Sequence, residues 1–398
     1  MATPAAPRPL HFQLSAFYFL YYAAVGVYIP YWSLYLHSLG YRPAQIGTAL
    51  GLMGLVRVVA PMAWGAAMDR GGRRMKLIGA GMLAAAILFS LIPFAGSFGW
   101  MLVLHVAYAM FWNVGLPAFD VVTLNHIAHT GMPYTRIRLW GSIGFVLAVA
   151  AFGPVLDRVG LSPVPWMIVA GMLGMGAMGW IVPDAADARP EAREPIRFRH
   201  MLRRPEVWML LLACFLSQLS FAPFYGFFSL LLSQHGYDRT SIGLLWAFGV
   251  LCEIVVFLHA GELIARFGAR AILRFALAST ALRWAALAWW VDTQAMVVFS
   301  QFLHFSSFGL YHAVSVHYIH RLFPGRLQGR GQALLAAASF GLGGSLGSYG
   351  SGVLWEASQG RTVFLLAAAA AALGAAVAWF GIEHGADDHW ERRQQARG

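Results

Sequence analysis

About a dozen apolar runs, each long enough to cross a bilayer as a helix, divide this chain, and no other feature restricts its fold as strongly. A hydrocarbon core needs about 20 helical residues. The runs lie near 12–37, 44–67, 75–96, 99–124, 138–158, 163–182, 206–233, 241–264, 271–290, 294–320, 331–356 and 361–382. They are continuous and lack the period-two alternation of a membrane barrel, so helices are expected. Composition agrees: 59% of the 398 residues are hydrophobic and 11% are charged, against about 25% charged in a soluble domain. The sequence therefore predicts an all-α membrane protein with twelve transmembrane helices. Its first run follows Arg8 but is too long for a signal peptide and shows no small-residue cleavage site.

A net charge of +11 invites a nucleic-acid reading, but the distribution opposes it. One alternating set of loops carries Arg70, Arg73, Arg74 and Lys76, then Arg136, then six arginines between Arg189 and Arg204. The same set continues through Arg266, Arg270, Arg274, Arg321, Arg326 and Arg330 to Arg392, Arg393 and Arg397. The other set holds only Arg42, Arg158, Arg239 and Arg361. That is the positive-inside pattern, and it places both termini in the cytoplasm. Cys214 and Cys252 fall inside apolar runs, so neither a disulfide framework nor a zinc spacing is available.

The stretch "PDAADARPEAREPIRFRHMLRRP", 183–205, has mixed charge, four prolines and no apolar face. It reads as a cytoplasmic linker between a bundle at 1–182 and a second at 206–398 that ends in a short tail. A shift of 196 residues lays Tyr41 on Tyr237, Gly47 on Gly243, Gly65 on Gly261, Arg70 on Arg266 and Arg74 on Arg270. The chain is thus expected to be two parallel six-helix repeats, with a substrate site between them at mid-membrane.

"GAAMDRGGRR", 65–74, is answered by "GELIARFGAR", 261–270. The first resembles the signature loop of the major facilitator superfamily, in which Gly65, Asp69, Arg70, Gly72, Arg73 and Arg74 would form a cytoplasmic gating latch. The plainer reading is a basic loop that only sets topology. "PAFDVV" and "RIRLWGSIGF" resemble the helix 4–helix 5 region of lactose permease and its relatives. That resemblance assigns Asp120 and Arg138 to the acid–arginine pair that engages substrate. It likewise places Arg283 on a functional arginine of helix 9 and His304 on a functional histidine of helix 10. The chain departs from that family at Ser307, where a glutamate is expected, and its helix 8 carboxylate is displaced to Glu253. "IPYWSLYLHSLG", "YGFFSLLLSQHGY" and the helix 9 "LRW" resemble the phenylpropionate-transporter-like branch over nearly the whole length.

Ionisable groups inside spans are costly and mark function. Arg57, Asp120, Glu253 and Arg283 lie within spans, with Arg138 at the start of one. Asp120 and Arg138 are expected to pair, either around substrate or as a bridge locking two helices. Glu253, Arg283 and His304 are the proton-coupling candidates, because burial favours the neutral form of a carboxylate and an approaching cation the charged form. Glu253 read as a static partner of Arg283 or Arg57 is the alternative. Arg57 is expected as a further buried charge. Aromatic stripes on helix 1 (Tyr28, Trp32) and helix 7 (Tyr225), with Asn113 and Tyr311, complete the expected substrate contacts; helix packing is the bland account of the stripes. Three arginines against two carboxylates leave one positive charge over, which a small organic anion would balance.

The expected function is proton-coupled symport of a small aromatic monocarboxylate such as phenylpropionate across a bacterial inner membrane. A sugar or nucleoside permease, or an exporter of drugs or other small molecules, are the alternatives; "FGPVLD" lacks the glycine continuation expected of antiporters. No cofactor or metal beyond the proton gradient is called for, and no nucleic acid. The expected partners are a small solute and the bilayer, with the chain monomeric. "GGSLG", 343–347, fits the G-x-S-x-G of a hydrolase elbow, but no strand precedes it, and small residues for close helix packing explain it better. A receptor or scaffold without transport is the remaining class.

Overall fold

A computed structural model of the chain describes residues 8–71, 73–130, 132–184 and 198–382. The first repeat supplies α1 (Arg8–Ser38), α2 (Pro43–Gly71), α3 (Arg74–Ser90), α4 (Phe98–Thr130), α5 (Tyr134–Val159) and α6 (Val164–Ile181). A four-residue helical turn, Phe198–Met201, precedes α7 (Pro205–Gln234), α8 (Arg239–Phe267) and α9 (Ala269–Trp290). Most helices overrun their apolar runs by a few polar residues, as backbone hydrogen bonding continues into the interface. The linker expected at 183–205 lies largely outside the described residues.

Among the described residues, ten helical stretches are long and apolar enough to cross a membrane. They are α1 to α9 and Gly360–Gly381, here α12. The other two expected spans are interrupted helices. The tenth, α10, runs Gln294–Phe302, passes through a π-helical turn at Phe305–Leu310 and resumes at Tyr311–Leu322. The eleventh, α11, begins at Gln328–Ala336, passes a second π turn at Ala337–Gly343 and enters the helical stretch Gly344–Gly381. A Cβ on Gly347 would lie 2.5 Å from the Leu219 carbonyl oxygen, and one on Gly374 would lie 3.4 Å from Leu216 Cβ. Those glycines would be about 40 Å apart on one straight helix, so the chain doubles back between them and α11 and α12 are separate spans.

Two compact units result: Met1–Glu191 with Tyr225–Ala247, and Ala192–Phe224 with Phe248–Gly398. In the first, α1 packs on α5 and α6, α3 on α4 and α6, and α2 on α4. Aromatic stacking fills its centre, with Phe17 on Phe119 at 3.8 Å and Tyr21 on Trp112 at 4.8 Å between centroids. In the second, α9 packs on α10 and on the Gly344–Gly381 stretch. The GGSLG segment serves this packing: Gly343 faces the Phe215 carbonyl and Gly347 the Leu219 carbonyl of α7, too close for any side chain.

Candidate functional site

Each unit encloses one arginine set against one carboxylate, with neutral side chains standing between them. In the first, α4 presents Asp120 and α5 presents Arg138. The Tyr18 hydroxyl of α1 donates to Asp120 Oδ1 at 2.5 Å, and the Tyr134 hydroxyl donates to the same oxygen at 3.1 Å. Arg138 donates to the Tyr22 hydroxyl. Its guanidinium carbon lies 4.2 Å from the Tyr22 ring centroid and 5.5 Å from that of Tyr18. The expected Asp120–Arg138 ion pair is therefore replaced by contacts through tyrosines: hydroxyls saturate the carboxylate oxygen while an aromatic face holds the cation. Gly141 makes this possible, since a Cβ there would lie 2.7 Å from the Tyr22 ring and 2.8 Å from Arg138 NH1.

In the second unit, α9 carries Arg283, fully buried. Its NH1 donates to His304 Nδ1 at 2.8 Å and to Ser307 Oγ at 3.0 Å, and its NH2 donates to Gln301 Oε1 at 3.2 Å. The guanidinium lies 4.2 Å from the Phe224 ring centroid and 4.6 Å from that of Trp284. His304 Nε2 lies 3.2 Å from Glu253 Oε2 of α8. A guanidinium can only donate, so Nδ1 must accept and the imidazole proton sits on Nε2, aimed at Glu253. His304 is neutral in this arrangement. Gln301, His304 and Ser307 share a face of α10 at three-residue spacing, which is why one guanidinium reaches all three. Ser307 thus keeps contact with the arginine as a neutral acceptor where the lactose permease pattern has an acid.

The structure brings Glu253, Arg283 and His304 together, but the other expected substrate contacts stand apart from these clusters. Tyr28 donates to Met53 Sδ at 3.1 Å. Trp32 is fully buried, stacked between Tyr28 and Tyr35. Asn113 donates to the Ala109 carbonyl of its own helix at 2.9 Å. Tyr225 stacks on Trp246, and Tyr311 donates to the Cys214 carbonyl at 3.3 Å. Of the latch residues, Gly65, Asp69, Arg70 and Gly72 lie outside the residues whose side chains are described; Arg73 is exposed and Arg74 half-buried.

Arg57 corrects the expectation of a third buried charge, because it is exposed. Met53, Val56 and Ala60 turn inward from α2. Position 57 lies four residues after Met53 and three before Ala60, at the edge of that face rather than at its centre. Sequence reasoning passed over Tyr18, Tyr22 and Tyr134, which resemble interfacial anchors in a chain this aromatic. It also passed over Asp157, the last residue of "FGPVLD". The one available signal was spacing: Tyr134 sits one helical turn before Arg138, and Tyr18 and Tyr22 are likewise four apart.

The MFS_1 like family model matches residues 11–366. A maltose permease of Geobacillus stearothermophilus is 31% identical over 382 residues, covering 94% of this chain and 94% of that protein. The "Probable 3-phenylpropionic acid transporter" of Escherichia coli (strain K12) is 25% identical over 307 residues, covering 76% of this chain and 80% of that protein. Among solved structures, the nucleoside transporter NupG superposes with a TM-score of 0.81 at 16% identity, over 94% of this chain and 99% of that one. A bacterial homologue of the human lysosomal transporter Spinster gives 0.72 at 14%, over 95% and 98%. The two structural likenesses speak to fold alone. The sequence match runs through nearly every span, including those that carry both arginines, so the chain belongs to the MFS_1 like family and is a multi-pass membrane secondary transporter of the major facilitator fold, not an enzyme.

Proposed function

We propose that this protein is a proton-coupled symporter that imports a small hydroxylated solute, of the sugar class, across the bacterial inner membrane, with both termini cytoplasmic. The supporting observation is the pairing of one arginine with one carboxylate in each unit through neutral intermediates. In the first unit, Asp120 Oδ2 and Arg138 NH1 have no protein partner among the described residues, which offers a solute one acceptor and one donor side by side. Hydroxyl groups use both; a carboxylate uses the arginine and is repelled by the aspartate. The maltose permease among its relatives agrees with this reading. In the second unit, Glu253 carries the proton, His304 holds it in line and Arg283 keeps the histidine neutral.

An aromatic monocarboxylate is the second reading, favoured by the Tyr18 and Tyr22 faces beside Arg138 and by the phenylpropionic acid relative. Uptake of labelled maltose, a nucleoside and 3-phenylpropionate into proteoliposomes with an imposed pH gradient separates the two. Accumulation of the sugar and not of the acid is expected; the reverse result installs the second reading. In the same vesicles, Glu253→Gln should abolish uphill accumulation and retain exchange of labelled for unlabelled solute. Retained accumulation would remove Glu253 from the proton route.

A further inference from the structure

From the Glu253–His304 contact, α8 and α10 both run on toward the basic loops, and the next turn of each carries a phenylalanine. Phe257 follows Glu253 by four residues, and Phe308 follows His304 by four. Four residues further along α10 comes His312, which touches both. Its ring lies 5.9 Å from that of Phe308, with planes 8° apart, and 6.2 Å from that of Phe257, edge to face at 83°. Phe308 in turn stacks on His304 at 5.4 Å and 2°. An imidazole, a phenyl and a second imidazole thus lie in sequence along α10, each one turn from the next.

The stack separates two groups that exchange protons by one that cannot. Phe257 is the outer ring and exposed; Phe308 is the inner ring and half-buried, as is His312. On the α7 side His304 meets more rings, Phe224 at 5.8 Å and Phe221 at 6.4 Å. Gly309 lets α8 and α10 close together here, since a Cβ on it would lie 2.5 Å from Val256 Cγ1 and 3.6 Å from Glu253 Cγ. The charged and titratable groups nearest the stack are Glu253 on α8, Arg283 on α9, and His304 and Tyr311 on α10. Arg283 is engaged with His304, Ser307 and Gln301, and Tyr311 turns to the Cys214 carbonyl of α7. Phe308 also belongs to the π turn Phe305–Leu310, whose hydrogen bonding departs from the α ladder. A shift of that turn would move its ring.

The internal repeat shows that the arrangement is one-sided. Under the 196-residue shift, Glu253 and Phe257 correspond to Arg57 and Pro61, and His304, Phe308 and His312 to Tyr108, Trp112 and Leu116. The first repeat has neither the carboxylate nor either histidine.

We propose that His312 is the exit group for the coupling proton and that Phe308 is the shutter in front of it. With Phe308 aside, the Glu253 carboxyl gives its proton through water to an imidazole nitrogen of His312. The carboxylate is restored, His312 becomes an imidazolium, and it releases the proton to water on the side of the basic loops. Return of Phe308 lays a ring face against the new cation and closes the way back. The inference rests on the reading of Glu253 as the proton carrier.

Proton leak tests it, in proteoliposomes loaded with a pH-sensitive dye, with no solute present and with valinomycin and potassium balancing charge. The unmodified protein should hold an imposed pH gradient. Phe308→Ala should dissipate it about tenfold faster, because Glu253 then exchanges protons with the basic-loop side whichever way the carrier faces. Adding His312→Phe, which keeps the ring packing without a titratable nitrogen, should restore the seal, and so should adding Glu253→Gln. A tight gradient in folded Phe308→Ala would overturn the shutter, and a leak surviving His312→Phe would overturn the exit group. A leak stopped by His312→Phe but not by Glu253→Gln would uphold the exit and remove Glu253 as carrier. If Phe308→Ala does not fold, His312→Phe alone decides, using whichever of labelled maltose and 3-phenylpropionate the unmodified protein accumulates. Uptake driven by a pH gradient should fall about tenfold and exchange far less, since only net uptake must shed the proton; equal effects on both would leave His312 a packed aromatic.

Discussion

Arg138 and Arg283 do different work because different side chains stand between each of them and its carboxylate. Around Arg138 the intermediates are tyrosine hydroxyls and rings, with an aspartate oxygen and guanidinium nitrogens left over for a solute. Around Arg283 the intermediates are a histidine, a serine and a glutamine, and three hydrogen bonds hold the cation inside the protein. Arg138→Lys keeps the charge but loses the planar fork and the stacking on Tyr22. Solute affinity should fall about tenfold or more by isothermal titration, with the protein still folded; unchanged affinity would make the cluster a structural brace. The acid and base members of both sets were legible in the sequence, because charge inside a span is rare enough to be noticed singly. The intermediaries were not. A tyrosine in an apolar helix is common at interfaces, and nothing in the linear text says which one turns toward an aspartate on another helix.

At the level of elements, ten helices follow their apolar runs closely, and the spans that resist a plain reading are α10 and α11. Their hydropathy predicts simple helices, while the structure inserts π turns at Phe305–Leu310 and Ala337–Gly343. Each turn is rich in Ser, Ala and Gly, residues small enough to let the backbone widen, and π turns are frequent at functional sites. The first begins directly after His304 and contains Ser307, so it helps shape the Arg283 network. Periodicity analysis averages over a whole span and is blind to one inserted residue. The small-residue reading of GGSLG does agree with the geometry, and it can be tested. Gly347→Leu would drive a side chain into the Leu219 carbonyl and the Ala222 methyl of α7, costing roughly 1–3 kcal/mol as overpacking does. Thermal unfolding in detergent should show a lowered midpoint. Gly350→Leu, where a Cβ meets nothing within 4 Å, should change it little.

Across the whole molecule, the two-repeat plan was readable from the 196-residue shift, but the partition into units was not, since packing assigns Tyr225–Ala247 to the first unit. Membership of a unit is decided by contacts such as those of Asp157 with Arg239 and Thr240, which lie far apart in sequence. The matched arginines and carboxylates have an electrical consequence. With Asp120 against Arg138, Glu253 against Arg283 and a neutral His304, this set of five side chains carries no net charge before anything binds. One proton on Glu253 makes it +1. A neutral solute leaves that charge in place, so every import cycle carries current inward and draws on the membrane voltage, about 2.3 kcal/mol per charge per 100 mV. A monocarboxylate cancels it, and the same cycle would be electrically silent. Solid-supported membrane recordings should therefore show a sustained inward current on adding a sugar and none on adding an aromatic acid.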